Sequence, residues 1–338
     1  MKKLNIVFLT RSYYPNVGGV EKHVYEISKR LAALGHHVTI ITEDTKREKG
    51  VDFDFRLKNV DVIEIPVGGD DWFKKFRIWK WVWQHKNIFL KSDIIHCHDV
   101  FFWYLPLAFL YPLKNVYTTF HGYESYPIKK KAIIYRKIFE YMSNRTICVG
   151  AFMTKWYHAH PAKMIYGAAE IPKKTTAPKK NSAIFIGRLD EHTGIDVYLK
   201  ATELIRKKIK NFTLTVYGDG PYTEQLKGQK GIIFKGYDLS AEKEIIKYEY
   251  AFVSRYLAIL EALAAKRRVV AVYDNPVKKD YLTMTPFKDW IDICRDEEDV
   301  AKIVTEKTGN EAITKAYTWV SEQTWVRLAE VYLSLWQK

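Results

Sequence analysis

Two stretches of this chain, one in each half, read as a buried parallel strand that runs into a glycine-containing loop and then into helix-period sequence. The first is Asn5-Ile6-Val7-Phe8-Leu9-Thr10, followed by a loop that carries Gly18-Gly19. The second is Ala183-Ile184-Phe185-Ile186-Gly187-Arg188-Leu189, followed by Asp190 to Ile195 with Gly194 inside it. An uninterrupted apolar strand is covered on both faces, and such strands belong to parallel sheets wrapped by helices. Two such openings predict two nucleotide-binding-type α/β domains. A cleft between domains of this kind can hold a nucleotide-linked donor on one wall and an acceptor on the other.

The alternation continues along the chain. Val20, Val24, Ile27, Leu31 and Leu34 keep helical spacing up to Gly35, and strands follow at Val38–Thr42, Val60–Ile65, Asp93–His98, Val116–Phe120 and Arg145–Val149. Residues 171–181 are rich in proline and lysine, lack apolar periodicity and read as a linker. Beyond them come strands at Ala183–Ile186, Phe212–Tyr217, Ile232–Lys235 and Val269–Val272, with helices at Val197–Ile209 and near Leu257–Ala265. Trp319 to Trp336 reads as one amphipathic helix. The expected fold class is α/β, with two Rossmann-like doubly wound parallel-sheet domains and ligands at the carboxyl ends of the strands. The expected division is 1–172, 181–312 and a terminal helix at 313–338 that packs back toward the first domain.

A chain of 338 residues with 47% hydrophobic content is long and apolar enough for two cores. Cys97, Cys148 and Cys294 are too few and too scattered for a disulfide framework or a zinc site, which points to a reducing, cytoplasmic compartment. The first residues enter a strand without the long apolar stretch of a signal peptide. Val100 to Leu113 is the longest uncharged apolar run, too short to span a bilayer and read as a buried helix. The net charge of +15 and an aromatic content of 15% suggest an anionic partner surface: membrane, nucleic acid or phosphorylated substrate. Nucleic acid is disfavoured, since no helix-turn-helix, zinc-finger or RNA-binding signature is present.

Gly18-Gly19 stands just before a helix start, where small residues permit close backbone approach and helix N–H groups can hold phosphate. A plain turn explains the same pair. The spacing is neither a Gly-x-Gly-x-x-Gly fingerprint nor a Walker loop.

The ordered set of motifs is more specific. Residues 15–24 (Pro-Asn-Val-Gly-Gly-Val-Glu-Lys-His-Val) and Gly35-His36-His37-Val38 come first. Asp93-Ile94-Ile95-His96-Cys97-His98, Thr119-Phe120-His121-Gly122 and Gly187-Arg188-Leu189 follow. Tyr217-Gly218-Asp219-Gly220-Pro221, Phe234-Lys235-Gly236 and Leu260-Glu261-Ala262-Leu263-Ala264 complete the series. In this order the set resembles the retaining GT-B glycosyltransferases of the glycosyltransferase family 4 and group 1 type. The resemblance implies a nucleotide-sugar donor held mainly by the second domain and a lipid-linked or polysaccharide acceptor held mainly by the first. It implies hexosyl transfer with retained configuration and no required metal or other cofactor. His121 and Arg188 are the implied catalytic residues; Gly18, Gly19, Arg188, Arg255, Leu257, Glu261, Gly218 and Gly236 are the implied donor-binding residues. Departure of a nucleoside diphosphate builds negative charge, and the always-charged, forked guanidinium of Arg188 suits that role. Glu261 would accept from the ribose hydroxyls, and His121 would lie beside the sugar. Arg188 as a surface ion-pair partner, Glu261 as a helix cap and His121 as a loop histidine are the structural alternatives. His96 and His98, two apart on a strand, also permit a metal reading, but no further ligand cluster accompanies them in the sequence.

Two departures from the family pattern stand out. Thr193 takes the place of a lysine that usually faces the diphosphate, and Val253 the place of the first glutamate of a pair ending at Glu261. Arg255 is a candidate replacement for the lost charge. These departures keep open a degenerate relative that binds sugar nucleotide or glycan without efficient transfer; a basic nucleic-acid-binding protein is a more distant alternative.

Residues 72–83 mix lysine and arginine with Trp72, Trp79, Trp81 and Trp83. At helical spacing Trp72, Phe76, Trp79 and Trp83 share a face, with Lys75 and Lys86 elsewhere. Interfacial helices combine basic and aromatic residues in this way, and a second basic cluster runs from Lys129 to Lys137. The pattern suggests peripheral attachment at the inner face of the cell membrane; packing of the aromatics into the core is the alternative.

Overall fold

The computed structural model describes residues 2–14, 16, 18–43, 57–174, 176–306 and 311–337. It divides into two compact units, Met1–Ile165 with Trp325–Lys338, and Tyr166–Thr324. Unit 1 runs β1 (Asn5–Thr10), α1 (Gly19–Ala33), β2 (His37–Glu43), β3 (Val60–Ile65), α2 (Lys74–Gln84), α3 (Lys86–Lys91) and β4 (Ile94–His98). It continues through α4 (Phe101–Ala108), β5 (Val116–Phe120), α5 (Lys130–Met142), β6 (Arg145–Val149), α6 (Phe152–Trp156) and β7 (Lys163–Ile165). Unit 2 runs β8 (Lys179–Ile186), α7 (Ile195–Lys208), β9 (Thr213–Tyr217), α8 (Thr223–Leu226), β10 (Ile232–Gly236) and β11 (Tyr248–Phe252). Then come α9 (Tyr256–Ala264), β12 (Arg268–Val272), α10 (Pro276–Thr283), β13 (Asp292–Cys294), α11 (Glu297–Glu306) and α12 (Glu311–Val320); α13 (Trp325–Trp336) returns to unit 1.

Both sheets are parallel. The strand order is β3-β2-β1-β4-β5-β6-β7 in unit 1 and β10-β9-β8-β11-β12-β13 in unit 2. Each order reverses once, between β1 and β4 and between β8 and β11. At such a reversal the loops leaving the two strands part to opposite faces and leave a crevice at the carboxyl ends. The central strands are buried because helices cover both faces: Val7, Phe8 and Leu9 of β1, and Ala183, Ile184 and Phe185 of β8, are all at most 2% exposed.

The architecture is the expected pair of doubly wound parallel sheets, with differences in detail. β11, a central strand of unit 2, was not anticipated: Tyr-Glu-Tyr-Ala-Phe lacks an apolar run, yet β8 and β12 hydrogen-bond it from either side. β7 and β13 are three-residue strands at sheet edges, too short for a periodic signal. The single terminal helix is two. The chain turns after Val320, where the Gln323 N–H donates to the Val320 carbonyl and the Ala169 N–H donates to the Gln323 carbonyl. Residues 313–324 therefore lie in unit 2, where α12 packs on α9, while α13 packs on α1 of unit 1. The proline-lysine stretch is also no dividing linker. The units divide at 165/166, and the Thr176 carbonyl and hydroxyl bond Arg267 and the Ile246 carbonyl, both of unit 2.

Candidate functional site

In unit 2 the chemistry gathers where the sheet order reverses. Arg188 follows β8 and Arg255 follows β11, the two strands on either side of the reversal. The Arg188 side chain is 66% exposed, and its Nε lies 3.8 Å from the Asp190 carboxylate, so the fork remains open to a ligand. The Arg255 guanidinium donates to the His192 carbonyl at 3.2 Å, which draws it toward the loop after Arg188. Thr193 in that loop is buried, and its hydroxyl closes on the Asp190 carbonyl at 2.7 Å. Val253, at the end of β11, is also buried. At both departures the side chain faces protein.

Two of the glycines expected at the donor, Gly218 and Gly236, stand at the carboxyl ends of β9 and β10 in unit 2. The Gly187 N–H donates to the Tyr217 carbonyl and the Gly218 N–H to the Gly236 carbonyl, which joins the carboxyl ends of β8, β9 and β10. Gly218 has φ +145°, and a Cβ there would stand 1.9 Å from the Gly187 carbonyl oxygen. No other residue permits that backbone approach. Leu257 and Glu261, one helical turn apart on α9, are both half-buried. Gly18 and Gly19 lie in unit 1, where Gly18 caps α1 in extended backbone and Gly19 opens the helix. A Cβ on Gly18 would meet the Glu21 carboxylate at 2.2 Å.

Lys278 carried no sequence signal, because the pair Lys278-Lys279 reads as solvated charge. It is 2% exposed, and its ammonium nitrogen donates to the Ser254 carbonyl at the end of β11. Burial, then the positive Arg255, holds it well below the usual lysine range, and Asp274 opposes the shift.

Unit 1 presents a different chemistry at its own reversal. His98 ends β4 beside β1, and His121 follows β5, the next strand. His98 Nδ1 and His121 Nε2 share a hydrogen bond at 2.9 Å. The backbone N–H of His121 donates to the Asp99 carboxylate at 3.1 and 3.3 Å. His23 of α1 sets its ring edge-to-face on His121, with centroids 4.8 Å apart. His96 stacks on His98 at 5.1 Å. Burial holds His23, His96, His98 and His121 below the ordinary histidine range, His121 down to about 3, so the rings are neutral. His23, His98 and His121 bring one ring nitrogen each within 4.8 Å of the others, a spacing that a metal ion could use. Hydrogen bonds to Tyr332 and between His98 and His121 already engage one nitrogen of every ring. The pairing of His98 with His121 depends on the β4–β5 register, which single strands do not reveal.

The basic aromatic segment divides between core and surface. Trp81 is buried against His85, and half-buried Trp79 donates its indole N–H to the Phe102 carbonyl at 2.7 Å. Trp72, Phe73, Phe76 and Trp83 are exposed. Lys75 and Lys86 lie over the rings of Trp72, Phe76 and Trp83 at 4.8–4.9 Å, on the aromatic face rather than away from it. In the second cluster Arg136 is not a surface charge. It is buried, pairs with Glu124 at 2.9 Å and stacks on Tyr157. The exposed face of α5 instead combines Ile134, Tyr135, Ile138 and Tyr141 with Lys130, Lys131 and Lys137. The long apolar run is helical and buried over much of α4, but Phe109, Leu110 and Leu113 after it are exposed. No described helix is long and apolar enough to cross a membrane.

Residues 17–165 match the family Glycosyltransferase Family 4, and residues 180–281 match Glycosyl transferases group 1. The chain is 49% identical over 47 residues to the phosphatidylinositol N-acetylglucosaminyltransferase GPI3 subunit of Saccharomyces cerevisiae, a match of 14% of this chain and 10% of that protein. It is 27% identical over 232 residues to an uncharacterized glycosyltransferase of Methanocaldococcus jannaschii, covering 63% of this chain and 60% of that one. Among solved structures, a glycosyltransferase from Rickettsia africae superposes with TM-score 0.72 at 18% identity, covering 100% and 98% of the two chains. WaaG, a glycosyltransferase involved in lipopolysaccharide biosynthesis, superposes with TM-score 0.69 at 14% identity, covering 98% and 99%. Matched in its first half by one family and in its second by the other, the chain belongs to the GT-B glycosyltransferases of the family 4 and group 1 type.

Proposed function

We propose that the chain transfers a hexosyl group from a nucleotide-sugar donor to a lipid-linked or glycan acceptor, with retention of configuration. The observation that carries this reading is the pair of arginines after β8 and β11, at the strand reversal of unit 2. Unit 2 holds the donor: Arg188 and Arg255 meet the diphosphate, and the close approach at Gly218 holds the carboxyl ends of β8 and β9 together. Charge that develops on the leaving diphosphate is stabilised by fixed positive groups and oriented donors. Glu261 accepts from the ribose, and His121 of unit 1 is the sugar-side residue. The names of the relatives support a sugar-transfer chemistry, and that of the yeast relative a phosphatidylinositol-type acceptor.

A panel of nucleotide sugars tests the reading through release of nucleoside diphosphate, without knowledge of the acceptor. Release from at least one donor is expected, and the anomeric configuration of the product, read by NMR, reports retention. Arg255→Ala is expected to weaken donor binding about tenfold, the cost of one charge-assisted contact. Donor binding without any release across the panel would favour the degenerate relative to which Thr193 and Val253 point.

The exposed rings at Trp72, Phe73, Phe76 and Trp83 and the basic, apolar face of α5 favour a membrane-borne acceptor. Lysines near an anionic bilayer contribute about 1 kcal/mol each, and tryptophan settles at the headgroup level. Flotation with anionic liposomes at low salt is expected to carry the protein, and binding is expected to weaken as salt rises. Equal flotation with neutral lipid would remove the lysine charge from the proposal, and no flotation with anionic lipid would remove the membrane from it.

A further inference from the structure

α13 reaches into the histidine cluster with two polar side chains. The Trp336 indole N–H lies 3.1 Å from His96 Nδ1. His96 Nε2 lies 2.7 Å from the Thr119 hydroxyl, which lies 3.0 Å from the Tyr332 hydroxyl, which lies 2.8 Å from His23 Nε2. The Trp336, Thr119, Tyr332 and His23 side chains are buried, as is His96, so water cannot substitute for a lost partner.

The polarity of this chain follows from donor bookkeeping. An indole nitrogen only donates, so His96 Nδ1 accepts and a neutral ring carries its proton on Nε2. That proton goes to the Thr119 oxygen. The Thr119 hydroxyl proton then has the Tyr332 oxygen as its partner, and the Tyr332 proton goes to His23 Nε2. The reverse sense would leave the Thr119 proton without a partner in a buried site, at a cost of about 1–3 kcal/mol. His23 therefore carries its proton on Nδ1. At His98, Nε2 is buried without a partner. A bare lone pair is tolerated there better than an orphaned N–H, so His98 donates from Nδ1 to His121 Nε2, and His121 carries its proton on Nδ1.

We propose that Tyr332 and Trp336 are positioning residues: through His23 and His96 they set the tautomers and ring orientations of the rings packed against the His98–His121 pair. His23 stands edge-to-face on His121 and His96 stacks on His98, so each ring of the pair rests on one ring oriented by α13. The role of His121 in transfer rests on the proposed function; the proton order does not.

The test is the nitrogen NMR of the histidine rings in the full-length protein, where protonated and bare nitrogens have separate shifts. The native chain is expected to show His96 as the Nε2–H tautomer and His23 and His121 as Nδ1–H tautomers. Tyr332→Phe is expected to turn the His23 signal into a mixture of tautomers, and Trp336→Phe to do the same at His96. Where transfer is measurable, Tyr332→Phe is expected to lower kcat about tenfold with the donor KM unchanged. Native His23 protonated on Nε2, a metal bound stoichiometrically to these rings, or variant spectra identical to the native ones would overturn the proposal. The native spectrum alone decides if a variant fails to fold. A native protein without transfer activity but with the expected tautomers would count against the proposed function and not against the proton order.

Discussion

Between pH 6.5 and 5.0 the protein is expected to lose about 5 kcal/mol of its stability. His23, His96 and His98 are at most 2% exposed and held neutral, chiefly by burial. The sign follows from linkage. A histidine whose folded pKa lies below its unfolded value contributes stability that is fully present above about pH 6.5 and is lost as the pH falls toward the folded pKa. Below pH 6.5 the unfolded chain protonates four histidines, His121 included, that stay neutral in the native chain, while the native chain protonates Asp99, whose carboxyl burial raises to about 6. The net of about three protons gives a limiting slope of about 4 kcal/mol per pH unit, against a total stability of about 5–15 kcal/mol. The loss belongs to unit 1, because the single histidine of unit 2, His192, is exposed. Denaturation midpoints measured from pH 7.5 to 5.0 give the slope. His96→Asn is expected to reduce it by about 1.4 kcal/mol per pH unit, one proton's worth. An unchanged slope in that variant would mean that His96 is already protonated in the native state.

Arg188→Ala is expected to cut turnover by about a hundredfold while leaving the melting temperature nearly unchanged. The two effects separate because the side chain is 66% exposed and its carboxylate partner Asp190 stands 3.8 Å away. A surface pair of that kind contributes at most about 1 kcal/mol to folding. A donor aimed at charge that develops on a leaving group contributes about 3 kcal/mol to the transition state. Arg188→Lys keeps the charge and loses the fork, and is expected to fall between the two. Steady-state kinetics with the donor found by the nucleotide-sugar panel, run beside thermal melts of each variant, give the comparison. Near-native turnover in Arg188→Ala would assign the arginine to the loop it leaves rather than to the donor.

The sequence alone determined the two parallel sheets. Apolar runs such as Ile6–Leu9 and Ala183–Ile186 have one stable use, as strands covered on both faces, and their alternation with helix-period segments leaves few topologies. The motif order placed Arg188 and His121 just beyond strand ends for the same local reason. What depended on partners distant in the chain was not legible. β11 is a central strand because β8 and β12 pair with it, although Tyr248–Phe252 lacks the uninterrupted apolar run of the strands beside it. The break after Val320 arises where the Gln323 carbonyl meets the Ala169 N–H, so the terminal amphipathic pattern divides between two units. Lys278 resembles any surface lysine until α10 carries it beneath Ser254. The histidine network joins residues 23, 96, 98, 119, 121, 332 and 336, which only the strand register and the packing of α13 on α1 bring within hydrogen-bond reach. Hydrophobic periodicity is a local property, encoded in neighbouring residues. The burial and pairing of a polar side chain are set by whatever the fold places against it, and only the tertiary structure decides that.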